Sequence, residues 1–241
     1  MAHVLEVADS LSGLARTFLA EHAHAMQVDT GPDDDECRAV MSAALGHCDE
    51  HALTTLRHIQ RRYSGLTYRS AFRASEIVVA PVFDVDPDKR QIRFDFAVSD
   101  TDPDGCRYSF LQPDGTVWFG YLDTEVPAFP SLDHFLECDA LLHHADRQNH
   151  RSTETPTDAN AYRERLLARH PHLRRLDMAS GFCVEWWADD KHLVYFDGLD
   201  ARIAANGHGA SWIPTVVKTW LLDEPWVSDG SPQSMMDGTY C

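Results

Sequence analysis

Two histidines, His47 and His51, belong to the part of this sequence that comes closest to a known catalytic pattern. The string His47-Cys48-Asp49-Glu50-His51 fits H-x-x-E-H, in which two histidines one helical turn apart bind zinc and the glutamate acts as a base. On a helix, His58 falls within roughly 40° of both histidines. The cluster borders an apolar stripe and no third ligand is identifiable. A solvated helix edge is therefore the competing interpretation, and the sequence predicts no bound metal.

The chain is strongly acidic. Its 38 Asp and Glu residues against 21 Lys and Arg residues give a net charge of −17. Such a charge repels nucleic acid and anionic membranes and favours a cationic partner, because opposite charges accelerate encounter. We therefore expect a basic protein partner, with neither nucleic acid nor membrane as a partner. The alternative is that the acidity only keeps the protein soluble.

The acidic residues that we expect to contact a partner lie on segments connecting the strands in the middle of the chain, many of them in turn-like contexts. The predicted partner-binding acids are Asp84, Asp86, Asp100, Asp102, Asp104, Asp123 and Glu125. Trp186, beside Trp187, is the aromatic candidate, because neighbouring strand residues point to opposite faces and an exposed tryptophan can anchor an interface. Packing of this tryptophan under a C-terminal helix is the alternative.

The stretch from Cys106 to His144 is the unit around which we expect the fold to be organised. Two strands, Arg107 to Gln112 and Thr116 to Leu122, meet at Pro113-Asp114-Gly115, where proline presets one turn angle and glycine accepts a positive φ. Ser131 can cap a helix that follows it. The apolar positions of that helix repeat at helical spacing and are Leu132, Phe135, Leu136, Cys138, Leu141 and Leu142.

Helices are predicted before this unit, followed by a small antiparallel sheet. Residues 4–26 trace an amphipathic stripe, and a second, long helix begins near Asp33 and ends at Ser64-Gly65. From Glu76 the period changes to that of strands, first in residues 77–83 and then in the alternation of residues 92–98.

The C-terminal part has a mixed pattern of its own. Residues 146–160 are polar and aperiodic, which predicts a linker and a boundary near residue 150. Beyond it the sequence predicts a helix from Ala161 to Arg169, a hairpin of residues 182–187 and 192–196, an apolar helix from Pro214 to Leu222 and a polar tail. The fold class is therefore α+β: N-terminal helices, an antiparallel sheet with a central hairpin, flanking helices and a C-terminal α/β extension.

Two motifs resemble the SUKH superfamily. They are the helix end Gln60-Arg61-Arg62-Tyr63-Ser64-Gly65-Leu66-Thr67-Tyr68 and the helix Pro130-Ser131-Leu132-Asp133-His134-Phe135-Leu136-Glu137-Cys138-Asp139-Ala140-Leu141, and the resemblance covers roughly residues 10–146. It implies an α+β domain over residues 1–150, with residues 151–241 as an extension that packs on it or stands apart. It also implies a function common among bacterial members, which bind and block a toxin, often a nuclease or deaminase. No catalytic residue carries over.

The leading hypothesis is a non-enzymatic immunity protein whose acidic loops mask the cationic surface of a toxin. The rival is a small enzyme of secondary metabolism that uses His and carboxylate side chains in a cleft between the two parts. A metal-dependent hydrolase built on His47 and His51 is a third possibility. We expect no cofactor, because no glycine-rich phosphate loop is present, and a cytoplasmic location, because no signal-like segment opens the chain.

Overall fold

Two antiparallel sheets and six α-helices make up the α+β fold of the described residues, which confirms the predicted fold class. The structure, a computed structural model, describes residues 2–86, 88–98, 107–206, 215–223 and 225–226. The helices are α1 Gly13–His22, α2 Asp34–Leu45, α3 Glu50–Tyr63, α4 Leu132–Ala145, α5 Ala159–Arg169 and α6 Leu199–Asn206, with a 3-10 turn at Asp177–Ala179. Within these ranges, none of the helices has the length and apolar character needed to cross a membrane.

The first sheet is a meander of seven strands in chain order. Its strands are β1 His24–Ala25, β2 Leu66–Ser70, β3 Ser75–Asp86, β4 Gln91–Val98, β5 Arg107–Leu111, β6 Val117–Tyr121 and β7 Thr124–Phe129. The predicted hairpin is confirmed as β5 and β6, and Gly115 has the positive φ, +86°, that its turn requires. Strand β7 was not predicted, because Pro127 and Pro130 indicated a corner.

The second sheet has five strands in the order β8-β12-β11-β10-β9. They are β8 Asn149–Glu154, β9 Arg174–Arg175, β10 Val184–Ala188, β11 His192–Asp197 and β12 Val216–Leu221. The predicted hairpin of this part is confirmed as β10 and β11. The predicted helix from Pro214 to Leu222 is wrong, because its β-branched residues form β12. The predicted linker is also partly wrong, since it contains β8, a polar strand that pairs with β12 at the sheet edge.

The N-terminal helices are shorter than predicted. Ser12 caps α1 by accepting a hydrogen bond from Ala15 N, so the helix starts well after Val4. The long helix predicted to end at Ser64-Gly65 is two helices, because Gly46 takes a left-handed φ of +81° at the end of α2. Asp49 then caps α3 by accepting from Ala52 N.

Helix α4 lies between the two sheets and is buried along most of its length. On the side of the first sheet, the Phe135 ring packs against Phe119 and Phe129, with ring centroids 6.1 and 5.5 Å apart. On the side of the second sheet, Trp186 Nε1 donates to Cys138 Sγ at 3.3 Å. Buried residues of both parts belong to one continuous core. The described residues of the second sheet therefore pack on the first part of the chain.

One buried carboxylate, Asp139, ties α4 to the turn between β2 and β3. Its oxygens accept hydrogen bonds from the Tyr68 hydroxyl at 2.8 Å, the Ser70 hydroxyl at 3.0 Å and the Phe72 amide at 2.8 Å. Burial raises the pKa of Asp139 to about 6, because desolvation of the charge outweighs these hydrogen bonds. The protonated carboxyl is therefore favoured in the folded state well above the ordinary pKa of an aspartate.

This shift predicts how stability changes with pH. Because the folded protein keeps a proton on Asp139 that the unfolded chain has already released, the free energy of unfolding falls as the pH rises from about 4 to about 6. Asp139→Asn keeps an acceptor oxygen and provides a donor to Tyr68, but it does not titrate. We expect the stability of the wild type relative to Asp139→Asn to fall by up to ~3 kcal/mol over this range.

Denaturant unfolding at a series of pH values measures this difference. Asp190→Asn, at an exposed turn residue of the second sheet, controls for the loss of one acidic group. A difference between the wild type and Asp139→Asn that stays constant across the range would contradict the expected role of this carboxyl.

Candidate functional site

The candidate site is the face of the first sheet that points away from α4. Directly opposite residues of neighbouring strands share a face, and the pairs Asp84–Arg93, Asp95–Phe110 and Phe110–Trp118 connect β3 to β6. We call this surface the outer face. Its residues are Asp84, Asp86, Arg93, Asp95, Tyr108, Phe110, Trp118 and Glu125.

Three aromatic rings form a stacked row on the outer face. The ring centroids of Tyr108 and Phe110 are 6.2 Å apart, and those of Phe110 and Trp118 are 5.9 Å apart, with interplanar angles of 20° and 25°. The Tyr108 ring lies on Gly120, where a Cβ would overlap it. Phe110 is buried under its neighbours, whereas Tyr108 and Trp118 remain partly exposed. The row thus offers apolar surface to a partner.

Arg93 is the cation around which the outer-face carboxylates are arranged. Its Nε donates to Asp84 Oδ2 at 2.7 Å and lies 3.6 Å from Asp95 Oδ1. Its Nη1 lies 3.8 Å from Glu125 Oε1, and its guanidinium stands 5.7 Å from the centroid of Phe110. The acidic surface is therefore partly neutralised from within and linked to the aromatic row.

The outer-face carboxylates differ in how far they are available to a partner. Asp86 accepts the amides of Lys89 and Asp88, which holds its pKa below the usual range. Glu125 accepts from the Tyr108 hydroxyl at 3.0 Å and lies 2.7 Å from Lys89 Nζ. The side chains of Asp86 and Glu125 are only 17% and 14% exposed, whereas that of Asp95 is 59% exposed. Asp86 and Glu125 therefore hold the surface together, and Asp95 faces solvent.

The turn between β6 and β7 projects apolar surface beside the outer face. Leu122 has a left-handed φ of +51° and is 59% exposed, and Asp123 next to it is exposed as well. The Leu122 carbonyl accepts a hydrogen bond from the Tyr108 hydroxyl at 3.0 Å, and this bond connects the turn to the aromatic row. A left-handed φ is costly for leucine, and such strain is concentrated at functional sites. Leu122 is therefore part of the candidate site.

The structure places the predicted partner-binding residues in four groups. Asp84, Asp86 and Glu125 lie within strands, although connecting segments were expected, and Asp123 lies in a turn. Asp100, Asp102 and Asp104 lie outside the described residues. The prediction for Trp186 is wrong. Its side chain is 0% exposed and lies between Cys138 and Tyr195, so it cannot anchor a surface contact. The tryptophan that remains partly exposed on the described part of the first sheet is Trp118.

The predicted cluster of His47 and His51 does not form. His47 lies in the link between α2 and α3, and His51 lies in the first turn of α3, so the two are not one turn apart on a single helix. Gly46 and the Asp49 cap cause this break. Both His47 and His51 are exposed, which fits the alternative that these side chains are solvated better than it fits a metal site.

A different group has the side chains and spacing of a metal site. Within the described ranges, His170, Asp189 and His192 are the one set of three such residues whose ligand atoms all lie within 4.8 Å of one another. Burial and the neighbouring His192 lower the pKa of His170. Burial acts to raise the pKa of Asp189, but hydrogen bonds from Lys191 and His192 hold it below its usual range. Sequence reasoning missed this group because His170 is distant along the chain.

No family model, curated protein or solved structure matches the chain. The functional argument therefore depends on the chemistry of the site. Partly exposed aromatic rings beside an arginine are typical of protein–protein interfaces, where aromatic residues and arginine are enriched.

The contacts of Arg93 predict that this residue contributes measurably to the free energy of unfolding. Arg93→Met keeps an apolar stem over Phe110 but leaves Asp84 and Glu125 without their shared cation. We expect the free energy of unfolding to fall by ~1–2 kcal/mol at low salt, and by less at high salt, which screens the remaining repulsion.

Denaturant unfolding at the two salt concentrations tests this expectation. Arg61→Met, which removes an exposed arginine of α3, is the matched control. An equal loss of stability in the two variants would contradict the central role of Arg93.

Proposed function

We propose that this chain is an acidic binding protein of the immunity type, which binds and neutralises a cationic toxin such as a nuclease or deaminase. The observation that carries the proposal is the outer face, where a stacked aromatic row lies beside solvent-facing carboxylates. The resemblance to the SUKH superfamily and the net charge of −17 support it. The outer face and the turn at Leu122 form the proposed interface.

Charge accounts for the capture of the partner. The carboxylates of Asp95 and Asp123 face solvent, and Asp84 is partly exposed. A basic partner is attracted to them at long range, and salt weakens this attraction. Because surface ion pairs contribute little free energy, they set the rate of encounter more than the lifetime of the complex.

Apolar contact accounts for the lifetime of the complex. Trp118 and the turn residue Leu122 offer exposed apolar surface beside these carboxylates, with Leu122 59% exposed. Burial of such side chains at the centre of an interface contributes most of the binding energy. The strained backbone of Leu122 fits this role, because an unstrained asparagine or glycine would serve the turn better but would offer no apolar anchor.

The alternative of an enzyme with a cleft between the two parts has less support. Apolar side chains such as Cys138, Trp186 and Leu142 fill much of the contact between α4 and its surroundings. Asp189 and His192 of the other candidate cluster lie at the turn between β10 and β11, and His170 lies at the end of α5.

Reversing one solvent-facing charge on the outer face and one in the turn beside it is expected to weaken capture of the proposed partner. The double variant Asp95→Lys with Asp123→Lys replaces two attractive contacts by repulsive ones. We expect binding at low salt to weaken by on the order of tenfold, with a smaller effect at high salt. The partner is first captured with the tagged chain from lysate of its source and identified by mass spectrometry, and its purified form is then used for binding measurements.

The matched control is Glu164→Lys with Asp190→Lys, which changes the net charge equally at exposed positions of α5 and of the turn after β10. Equal weakening by both double variants would show that net charge alone matters, and would remove the outer face as the interface. Unchanged binding in both would remove the electrostatic part of the proposal.

Replacing Leu122 separates binding from folding. Leu122→Asn relieves the cost of a left-handed φ, so we expect the free energy of unfolding to stay equal or rise by up to ~1 kcal/mol. The same change removes the apolar anchor, so we expect faster dissociation of the partner, measured by surface plasmon resonance. A stable variant with unchanged dissociation would exclude this turn from the interface. Val40→Asn, at an exposed apolar residue of α2, is the control.

A further inference from the structure

Helix α5 and the hairpin of β10 and β11 bring His170, Asp189 and His192 together. His170 ends α5, where its amide donates to Leu166 O at 2.8 Å. Asp189 lies in the turn after β10, and His192 is the first residue of β11. The rings of the two histidines approach to 4.6 Å between centroids, with an interplanar angle of 65°.

Both elements are fixed by packing, so the three side chains are held in place before any ligand arrives. Helix α5 packs through Tyr162, Leu166 and Leu167 onto a separate apolar cluster that contains Val194 and Phe196 of β11. Strand β11 is paired on both sides, with β10 and with β12. A preorganised ligand set lowers the cost of binding an ion.

The carboxylate of Asp189 is oriented by the turn itself. Its Oδ1 accepts the amides of Lys191 and His192, each at 2.8 Å, and lies 2.9 Å from His192 Nδ1. Its Oδ2 makes a longer contact with His192 Nδ1, at 3.2 Å. Oδ1 therefore holds the turn, while Oδ2 keeps lone pairs for a further ligand. The three residues are all partly shielded from solvent and none is fully buried, so an ion can reach them.

We propose that His170, Asp189 and His192 form a binding site for a divalent transition-metal ion, with Zn²⁺ as the best-fitting species. Two imidazoles and one carboxylate are a ligand set that zinc uses in proteins, and three protein ligands leave a fourth position for water or another donor. Imidazole nitrogens favour zinc and its neighbours in the first transition series over Mg²⁺ and Ca²⁺, which require oxygen ligands. This site is separate from the outer face and does not depend on the proposed function.

Metal content and affinity test the site. The full-length chain, purified with a tag that contains no histidine, is loaded with Zn²⁺ and freed of loosely bound ion by a weak chelator, because 14 histidines provide background binding. We expect one tightly bound Zn²⁺ per chain. Replacement by Co²⁺ should give the visible absorption of a tetrahedral ion with nitrogen and oxygen ligands.

Single variants assign the ligands. His170→Ala and Asp189→Asn are expected to weaken Zn²⁺ binding at least tenfold and to abolish the Co²⁺ absorption. His172→Ala, at an exposed histidine two residues from His170, should bind as the wild type does. Thermal unfolding confirms that each variant is folded. If Asp189→Asn fails to fold because its turn is lost, His170→Ala alone decides the outcome. The absence of stoichiometric binding in the wild type, or wild-type binding by His170→Ala, would overturn the proposal.

Discussion

The structure depends on the burial of α4, a helix that carries the carboxylates of Glu137 and Asp139 into the interior and that of Asp133 to a partly exposed position. Each carboxylate receives hydrogen bonds from a different part of the chain: Asp133 from Tyr63, Glu137 from Ser12 and Asp139 from Tyr68. A buried carboxylate without donors costs several kcal/mol, so only one arrangement of the surrounding elements is compatible with this helix. Apolar packing makes α4 central, and its carboxylates fix what surrounds it.

The features that the sequence predicted well are those whose causes are local. The turn at Pro113-Asp114-Gly115 and the Ser131 cap each require only neighbouring residues, and both form. Strands β8 and β12 stabilise each other across more than 60 positions of the chain, which no local window contains. Gly46 illustrates a third case, since a glycine within an apolar stripe is compatible with a continuous helix and with a left-handed end. In the structure the helix ends at Gly46, and the Asp49 cap begins the next one.

The candidate site shows the same limit at the level of side chains. Alternation along a strand predicts that two neighbouring tryptophans face opposite sides, but it does not say which side is covered. Trp186 faces α4 and is buried, whereas Trp118, which alternates with the buried Phe119, lies on the outer face. The sequence likewise located the acidic residues but not Arg93 among them. Which carboxylates remain available depends on where that one guanidinium lies.

The internal pairing of the outer face affects the desolvation cost of binding the proposed cationic partner. Asp84 and Glu125 are already paired with Arg93 and Lys89 before any partner arrives. When an interface buries an isolated carboxylate, contacts with the partner must compensate for the whole hydration energy that the carboxylate loses. A carboxylate that is already paired has lost part of its hydration energy on folding, so less remains to be compensated on binding. Attraction at a distance comes from the net charge of the whole chain, which local pairing does not change. The outer face therefore combines the acidic field of the whole chain with a contact surface whose charges are partly compensated, so that aromatic and apolar burial can decide the strength of the proposed complex.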